Sequence, residues 1–535
     1  MAETPAGTMR VLVKEKISRA GVELLKEHFD VDVRTDMTDA ELKERVNDYD
    51  ALIVRSATKV TAEILEGSHR LKIIGRAGSG VDNIDVKVAT KKGIVVANAP
   101  ESNAVAAAEH AIALLMAQCR QIPQAYCSLK AGKWERSKYG GVELTGKTLG
   151  VIGLGRIGMI VAQRGKGLRM DVIAYDPYVA ADRFRENGLE QAETLDDLYA
   201  KADFITVHMP KSADTMGLVG DEAFAKMKDG VRVVNAARGG IIDEAALARA
   251  IESGKVASAA LDVFTQEPVP PDFPLLAYDN VVVTPHLGAS TEEAQDKAGT
   301  IIAEQVTAGL LGRFVSNAVN IPSVSPEAME AVGPFLPLAE TLGRLIVAIS
   351  DGALEDISVQ YEGQVAEQDT RLLTVAVIKA MLECRVEETV NYVNAPTIAE
   401  ERGLKVSELR DRQMRDFTNL ITVSCKDRRG ELTAAGTTIG PKHKPRLVKI
   451  YRHDIDIEPA AHMAFFQYDD VPGMIGRVGS LLGDRGINIA FMNVGRRKVE
   501  GRAVMGVALD DPIPQDMLDD IASLPGFYEA RAVEL

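Results

Sequence analysis

From residue 10 onward, short β-branched runs alternate with stretches whose apolar residues recur every three or four positions. "RVLVKE" leads into the helical pattern "SRAGVELLKEHF"; "ALIVRS", "LKIIGRAGSG" and "GIVVANAP" follow, separated by further helical stretches. Apolar runs of this length read as strands, and strands alternating with helices predict βαβ units and a parallel sheet. The rhythm breaks at "SNAVAAAEHAIALLMAQCRQIPQAYCSL", whose length and alanine content predict one helix crossing between two domains. A second series begins at "KTLGVIGLGRIG" and continues through "MDVIAYD", "ADFITVHMP", "VRVVNAARGG", "SAALDVFTQEP" and "NVVVTPHLG", six strands in all. The next helix, "STEEAQDKAGTIIAEQVTAGLLG", is expected to start at a Ser290 cap with Glu292 and Glu293 in its first turn, and to pack back on the first domain.

"VNIPSVSPEAMEAVGPFLP" is rich in Pro, Ser and Val and reads as a linker. Beyond it, "EDISVQYEG", "NLITVSCKD" and "RLVKIYRHDIDIEP" read as strands and "TRLLTVAVIKAMLECR" as a helix, with no catalytic constellation among them. The end of the chain, from "HMAFFQYDD" to "YEARAVEL", follows the order strand, helix, two strands, helix, strand, a ferredoxin-like βαββαβ unit.

Composition narrows the class. The chain has 535 residues, enough for three or four domains at ~150 residues each, and 46% of them are hydrophobic, enough for buried cores. A net charge of −15 argues against nucleic acid or an anionic membrane as a partner. Cys119, Cys127, Cys384 and Cys425 show no metal-finger spacing, so free thiols in a reducing compartment are expected, and no metal. No uninterrupted apolar run reaches the ~18 residues of a membrane span, and "MAETPAGTMRVLV" carries no export pattern. A cytoplasmic protein is the expectation.

The most specific local motif is "GLGRIG", Gly153 to Gly158, which closes a strand and opens a helix. Gly153 permits the tight turn, Gly155 lets backbone approach a pyrophosphate, and Gly158 lets helix and strand lie close. The helix N-terminus offers free N–H groups and partial positive charge to the phosphates. The following strand ends in Asp176, 23 residues past Gly153. A carboxylate there suits two ribose hydroxyls and repels a 2′-phosphate, which favours NAD over NADP. A second glycine cluster, "GRAGSGVDNID", has no acid-ended strand at the proper distance. It is either an anion nest built from the N–H groups of Ala77, Gly78, Ser79 and Gly80, or a plain turn.

Ligands of an open α/β sheet bind outside the carboxyl ends of the strands. There the second series delivers Arg238, then Asp262 and Glu267, then His286. A lone strand-end histidine is usually structural. Together these groups supply what oxidation of a 2-hydroxy acid needs: an imidazole to take the hydroxyl proton, a carboxylate to orient it, and a guanidinium to clamp the substrate carboxylate.

"GLGRIG", "NAARGG", "DVFTQEP" and "TPHLGAST", in this order, resemble the D-2-hydroxyacid dehydrogenase family, closely over residues 10 to about 320. With "GRAGSGVDNID" and "GKWERSKYGGVELTGKTLGVIGLGRIG" the resemblance narrows to the branch that oxidises 3-phospho-D-glycerate to 3-phosphohydroxypyruvate, the first step of L-serine biosynthesis. It implies that Arg238 orients the substrate, Glu267 partners the histidine and His286 is the acid/base. It implies an NAD site lined by Gly153, Gly155, Arg156, Ile157, Gly158, Asp176, His208, Pro210, Thr215, Ala236, Asp262 and Gly288. Arg55, Arg76, Gly78 and Asn103 would hold the substrate; Arg136 and Lys138 of "KWERSK" would reach its phosphate from a neighbouring subunit, or are a solvated basic loop. His110 is expected to be packed or hydrogen-bonded, and Trp134 to serve a subunit contact or simple packing.

"FFQYDDVPGMIGRVGSLLGDRGINI" resembles an ACT regulatory domain, a unit that binds amino acids. The resemblance implies L-serine as effector, bound between two such domains, with Tyr468, Asp470, Gly473 and Asn488 at the site. The implied assembly is a homo-oligomer, dimer or tetramer. The expected architecture is therefore α/β: two Rossmann-like doubly wound parallel-sheet domains, an α+β intervening domain and a ferredoxin-like ACT domain. Expected boundaries are 1–100 with 288–318 for substrate, 101–287 for NAD, 319–457 for the intervening domain and 460–535 for the ACT domain. Two alternatives stay open at this level: another 2-hydroxy or 2-keto acid as substrate (glyoxylate or 2-oxoglutarate), and a non-catalytic NAD-sensing protein.

Overall fold

The β-branched runs of the first series form β1 (Arg10–Val13), β3 (Ala51–Val54), β4 (Ile73–Arg76) and β5 (Val95–Asn98), joined by β2 (Asp30–Val33). All pair in parallel, in the order β2-β1-β3-β4-β5. β2 escaped the hydrophobic pattern because "DVDV" places acids at alternate positions, and none of its residues is buried. An edge strand tolerates this. The structure is a computed structural model and describes residues 9–322, 326–352, 354, 356–386, 389–428, 430–496 and 501–535. Residues 1–8, read for an export pattern, and 323–325 of the expected linker lie outside the described residues.

The second series forms β6 (Thr148–Ile152), β7 (Asp171–Tyr175), β8 (Glu190–Gln191), β9 (Phe204–Val207), β10 (Val231–Asn235), β11 (Val256–Leu261) and β12 (Val281–Val283). They make one parallel sheet, ordered β12-β11-β10-β9-β6-β7-β8. Seven strands replace the expected six, because the two-residue β8 is too short to leave a pattern. The order reverses between β6 and β9, and a crevice opens at the carboxyl ends beside such a switch point.

Two local readings need correction. The crossing segment is not one helix but two, Ala104–Arg120 and Ile122–Lys130, broken at Gln121 with φ +49°. Pro123 explains the break: it has no N–H to continue the first helix and its ring would clash with the preceding turn. The helix Glu292–Leu310 is capped by Thr291, whose hydroxyl accepts from the Ala294 N–H, and not by Ser290, whose N–H turns back to the Leu287 carbonyl. This helix does return to the first sheet and packs on the helix Arg19–Lys26 and on β4.

The next region holds β13 (Asp356–Gly363), β14 (Lys405–Asp411), β15 (Asn419–Asp427), β16 (Gly430–Ile439), β17 (Lys444–Ile450) and β18 (His453–Ile457), ordered β14-β13-β15-β16-β17-β18. "RLVKIYRHDIDIEP" is a hairpin rather than one strand, because Tyr451 adopts φ +54° at the turn. The apolar helices Leu336–Ala348 and Arg371–Glu383 bury their surface in the core of this domain. The chain ends in β19 (His462–Asp469), β20 (Ile489–Arg496), β21 (Arg502–Leu509) and β22 (Phe527–Glu534), an antiparallel sheet ordered β20-β21-β19-β22 with two helices, as the βαββαβ pattern predicts.

The first sheet's outer layer rests on a glycine pair. A Cβ on Gly21 would lie 2.5 Å from the Gly299 carbonyl oxygen, and one on Gly299 only 2.7 Å from the Ser18 backbone nitrogen. Backbone meets backbone there, so a methyl group has nowhere to go. Gly167, at the end of its helix, faces open space. Gly299→Ala is expected to cost about 1–3 kcal/mol of stability by overpacking, and Gly167→Ala nothing comparable. Thermal unfolding of the two variants side by side checks this.

Candidate active site

The glycine loop behaves as its spacing requires. Gly153 has φ +91°, and a Cβ on it would meet the His208 carbonyl oxygen at 2.6 Å. A Cβ on Gly158 would overlap the Gly153 carbonyl, so only glycine lets the helix Arg156–Gly167 start so close to β6. Gly155 caps that helix and faces open space, where a ligand phosphate can approach backbone N–H groups. Asp176, just past β7, accepts from the Leu154 N–H at 2.8 Å and the Tyr178 N–H at 3.0 Å, so the acid and the loop are one unit. Arg156 pairs with Glu101 at 3.1 Å and Ile157 packs on the sheet core.

His208 follows β9 across the switch point. Its Nε2 lies 2.9 Å from the Thr206 hydroxyl, and burial pushes its pKa down to about 4, so the ring is neutral near pH 7. The Thr215 hydroxyl donates to the Pro210 carbonyl at 2.7 Å and folds that loop back on itself. Ala236 packs against the core under the crossing helix.

Beyond β12, His286 sits at φ +54°, a conformation that costs an L residue about 1–2 kcal/mol. Its N–H donates to the carbonyls of Asp262 and Thr284, and its Nδ1 lies 2.7 Å from the Glu267 carboxylate. Glu267 also accepts from the Phe264 N–H at 3.0 Å. Burial pushes the Glu267 carboxyl up, but the bonds from His286 and Phe264 outweigh it and hold the group below its ordinary value. Nδ1 faces the carboxylate, which leaves Nε2 as the nitrogen for a proton from elsewhere.

Asp262, expected to line the cofactor site, lies just past β11 with its side chain fully buried. His110 Nε2 (3.1 Å), the Thr284 hydroxyl (2.6 Å) and the N–H groups of Leu287 (2.7 Å) and Gly288 (2.9 Å) converge on its carboxylate. Desolvation alone would raise its pKa, and these donors lower it below the ordinary carboxyl value. Asp262 thus shapes the His286 turn from behind.

The substrate side is cationic. Arg76 ends β4, and burial, with help from the charge of Arg238, brings its guanidinium down to about 10. Its Nε is buried without a hydrogen-bond partner among the described residues. Arg238 follows β10; Asn235 sets its turn by accepting from the Ala237 N–H and donating to the Arg238 carbonyl. The Arg238 guanidinium pairs with Asp82 at 3.2 Å, crossing from the second sheet to the first. Arg55 is placed by Glu15, which accepts from its N–H and from those of Ala57 and Thr58. Asn103 accepts from the Ser79 hydroxyl. The anion nest is smaller than expected: the Ala77 and Gly78 N–H groups already serve the Val54 and Arg76 carbonyls. Arg136 and Lys138 lie exposed on a short 3₁₀ turn, and among the described residues no hydrogen bond or ion pair joins them to this group. Trp134 beside them is exposed.

In the last domain, Gly473 (φ +94°) opens the helix Met474–Asp484. Asp470 pairs with Arg496 at 3.3 Å and Asn488 donates to Asp510 at 2.7 Å. Tyr468 differs from its expected place at the effector surface. It shares a face of β19 with Ala464 and Phe466, and strand alternation turns that face into the core against Phe527.

Sequence reasoning missed Glu15, Asp82, Asn235 and Thr284. Asp82 in "GRAGSGVDNID", Asn235 in "VNAARGG" and Thr284 in "TPHLGAST" stood inside motifs already singled out, whereas Glu15 carried no such signal. The Asp262 network gives a pH-dependent expectation. Its carboxyl is lowered in the folded state, so its stabilisation is complete above the ordinary carboxyl value near 4 and is lost as pH falls through the lowered one. Asp262→Asn, which turns an amide donor toward other donors, should cost about 2–3 kcal/mol at pH 7. The gap to the unaltered protein should narrow as pH falls below the ordinary carboxyl value and through the lowered one, as thermal scans at a series of acidic pH values will read.

Residues 112–288 match the D-isomer specific 2-hydroxyacid dehydrogenase NAD binding domain, 331–451 the D-3-phosphoglycerate dehydrogenase intervening domain, and 462–526 the ACT domain. D-3-phosphoglycerate dehydrogenase of Archaeoglobus fulgidus is 46% identical over 530 residues, covering 98% of this chain and 100% of that one. Its counterpart in Synechocystis sp. is 45% identical over 527 residues, 98% of this chain and 95% of that one. D-lactate dehydrogenase from Aquifex aeolicus, solved with NAD and lactic acid, matches with a TM-score of 0.52 at 28% identity, covering 59% of this chain and 100% of that chain. With this agreement over almost its whole length, the chain belongs to the D-3-phosphoglycerate dehydrogenase family of NAD-dependent dehydrogenases.

Proposed function

We propose that the enzyme oxidises 3-phospho-D-glycerate to 3-phosphohydroxypyruvate in the cytoplasm and that L-serine regulates it through the ACT domain. The observation that carries the chemistry is the 2.7 Å contact between His286 Nδ1 and Glu267 at the carboxyl edge of the second sheet. The cradle fits NAD: Gly155 leaves open space at a helix N-terminus, and Asp176 stands beside it. Bound there, NAD supplies the hydride acceptor. His286 takes the substrate's hydroxyl proton on Nε2, while Glu267 receives the Nδ1 proton in a hydrogen bond and stabilises the imidazolium. Arg238 and Arg76 present guanidinium charge to the substrate carboxylate from two different sheets. Arg136 and Lys138 serve the phosphate from a neighbouring subunit of a dimer or tetramer. This fits their exposure and their lack of a site contact within the chain.

His286→Ala should lower kcat by about 10²–10⁴-fold, the usual worth of a positioned acid/base, with NAD affinity unchanged. Glu267→Gln should lower it less, because the base remains. NADH formation from 3-phosphoglycerate measures both, and a His286→Ala enzyme at full rate removes the assignment.

Serine regulation rests on the ACT fold and on Gly473, which opens a helix toward open space. L-serine added to the same assay should depress the rate, and Asn488→Ala should blunt the effect by about tenfold, as expected for loss of a charged-ligand hydrogen bond. An enzyme indifferent to serine at saturating concentration would remove this effector.

A further inference from the structure

In the first sheet β1, β3 and β4 are parallel neighbours, so their carboxyl ends lie side by side. Arg55 follows β3 at once and Arg76 ends β4. Burial is the main cause of the lowered Arg76 pKa, and the charges of Arg238 and Arg55 add to it, so three guanidinium groups converge on this edge. Arg76 is set by its strand and Arg238 by Asn235 and Asp82. Arg55 stands on a loop, 55–58, that has left the ladder. Its guanidinium reaches the Lys16 carbonyl at 3.4 Å and makes no ion pair among the described residues. Its aim therefore depends on the backbone beneath it.

That backbone is held from two sides. Main-chain N–H groups beyond a strand need acceptors. Glu15, two residues past β1, supplies them: its carboxylate accepts from the N–H groups of Arg55 (2.9 Å), Thr58 (2.9 Å) and Ala57 (3.2 Å). Main-chain donors around one anion form a nest of the kind that ligands fill elsewhere, and here the chain's own carboxylate fills it. The carbonyls of the same loop need donors. The Asn83 amide donates to the Arg55 carbonyl at 2.8 Å and to the Thr58 carbonyl at 2.6 Å. Asn83 is itself fixed, because its carbonyl accepts from the Val60 N–H at 2.8 Å. Lys14, next to Glu15, places its ammonium 3.2 Å from the hydroxyl of the buried Thr58. Both ends of the loop are thus clamped, while Ser56 and Ala57 between them are exposed.

We propose that Glu15 and Asn83 are positioning residues: they lock the loop 55–58 from opposite sides and so aim Arg55 at the acid groups of the substrate. A clamp of this kind contributes to binding by removing the freedom that a mobile arginine would lose on contact. Glu15 suits the task because a carboxylate takes several N–H donors at once, and Asn83 because an amide carries two N–H donors of its own. The inference rests on the oxidation of 3-phosphoglycerate proposed above, with Arg55 among the groups that hold the substrate.

NADH formation by the full-length enzyme tests it, with thermal unfolding as the check on folding. Glu15→Gln keeps the size of the side chain and turns an amide donor toward main-chain donors. It should raise the KM for 3-phosphoglycerate about tenfold or more, with kcat lowered less than about threefold and the KM for NAD within about twofold. Asn83→Ala removes the opposite hold, should give the same signature, and carries the test alone if Glu15→Gln does not fold. Arg55→Ala should raise the KM for 3-phosphoglycerate by itself. Adding either substitution to it should change that KM by less than about twofold, because groups that act through one residue are not additive. A residue that served only the fold would add its full effect there and disturb both substrates alike. Unchanged KM for 3-phosphoglycerate in the folded variants, an equal rise in the KM for NAD, or full additivity with Arg55→Ala would overturn the inference. Failure of the reaction reading shows separately, as no turnover of 3-phosphoglycerate by the unaltered enzyme, and it takes the inference with it.

Discussion

One buried carboxylate holds the active-site edge together. Asp262 has no access to water, and an unpaired charge in that position would cost several kcal/mol, so every donor around it is constrained. Those donors come from three places: His110 on the crossing helix, Thr284 after β12, and the backbone of Leu287 and Gly288. The backbone carbonyl of the same residue accepts from the His286 N–H. Side chain and main chain of one residue thus bracket the turn that carries the histidine. The left-handed conformation of His286 is offset by these bonds, and its ring is delivered to Glu267 without support from a regular strand or helix.

Around that anchor the charges divide into two groups. His286 and Glu267 share a hydrogen bond and are the proposed proton-handling pair. Arg238 lies near enough for its charge to depress the pKa of Arg76, whose Nε is buried without a hydrogen-bond partner among the described residues. Asp82 offsets part of this repulsion through its pair with Arg238, and an entering anion would offset more. The net charge of −15 says nothing about such a site, because the local field is set by groups a few ångströms away.

The parallel sheets were legible because buried strands read as continuous apolar runs; β2, β8 and β14 were not, because edge strands need no such run. β16 was hidden for another reason: "GELTAAGTTI" is strand built from small residues. The glycine loop was legible because Gly153 and Gly158 each meet backbone where a side chain would clash, while Gly155 faces open space, all within six positions. His286, Glu267 and Arg238 could be picked out as strand-end groups, but their mutual placement is a matter of distance. Asp262 could be picked out but its hydrogen-bond partners could not, because His110 lies 152 positions away and nothing in either neighbourhood links them. Tyr468 failed differently: a tyrosine near a strand end suits a ligand or a core, and only the alternation of β19 decides.

The Asp262 anchor also explains why the cleft between the two parallel sheets depends on so few contacts. The chain crosses between them twice, entering the helix Ala104–Arg120 and leaving after β12. Both crossings meet at the same place, since His110 and Gly288 bind the two oxygens of one carboxylate and a Cβ on Gly288 would lie 3.8 Å from Ala107. The proton-handling pair belongs to the second sheet and sits beside this knot. Arg76 belongs to the first sheet, beyond the crossings. The separation between proton acceptor and substrate clamp is therefore set by how the two crossings are held, and the group that holds them is Asp262 rather than any residue that touches substrate.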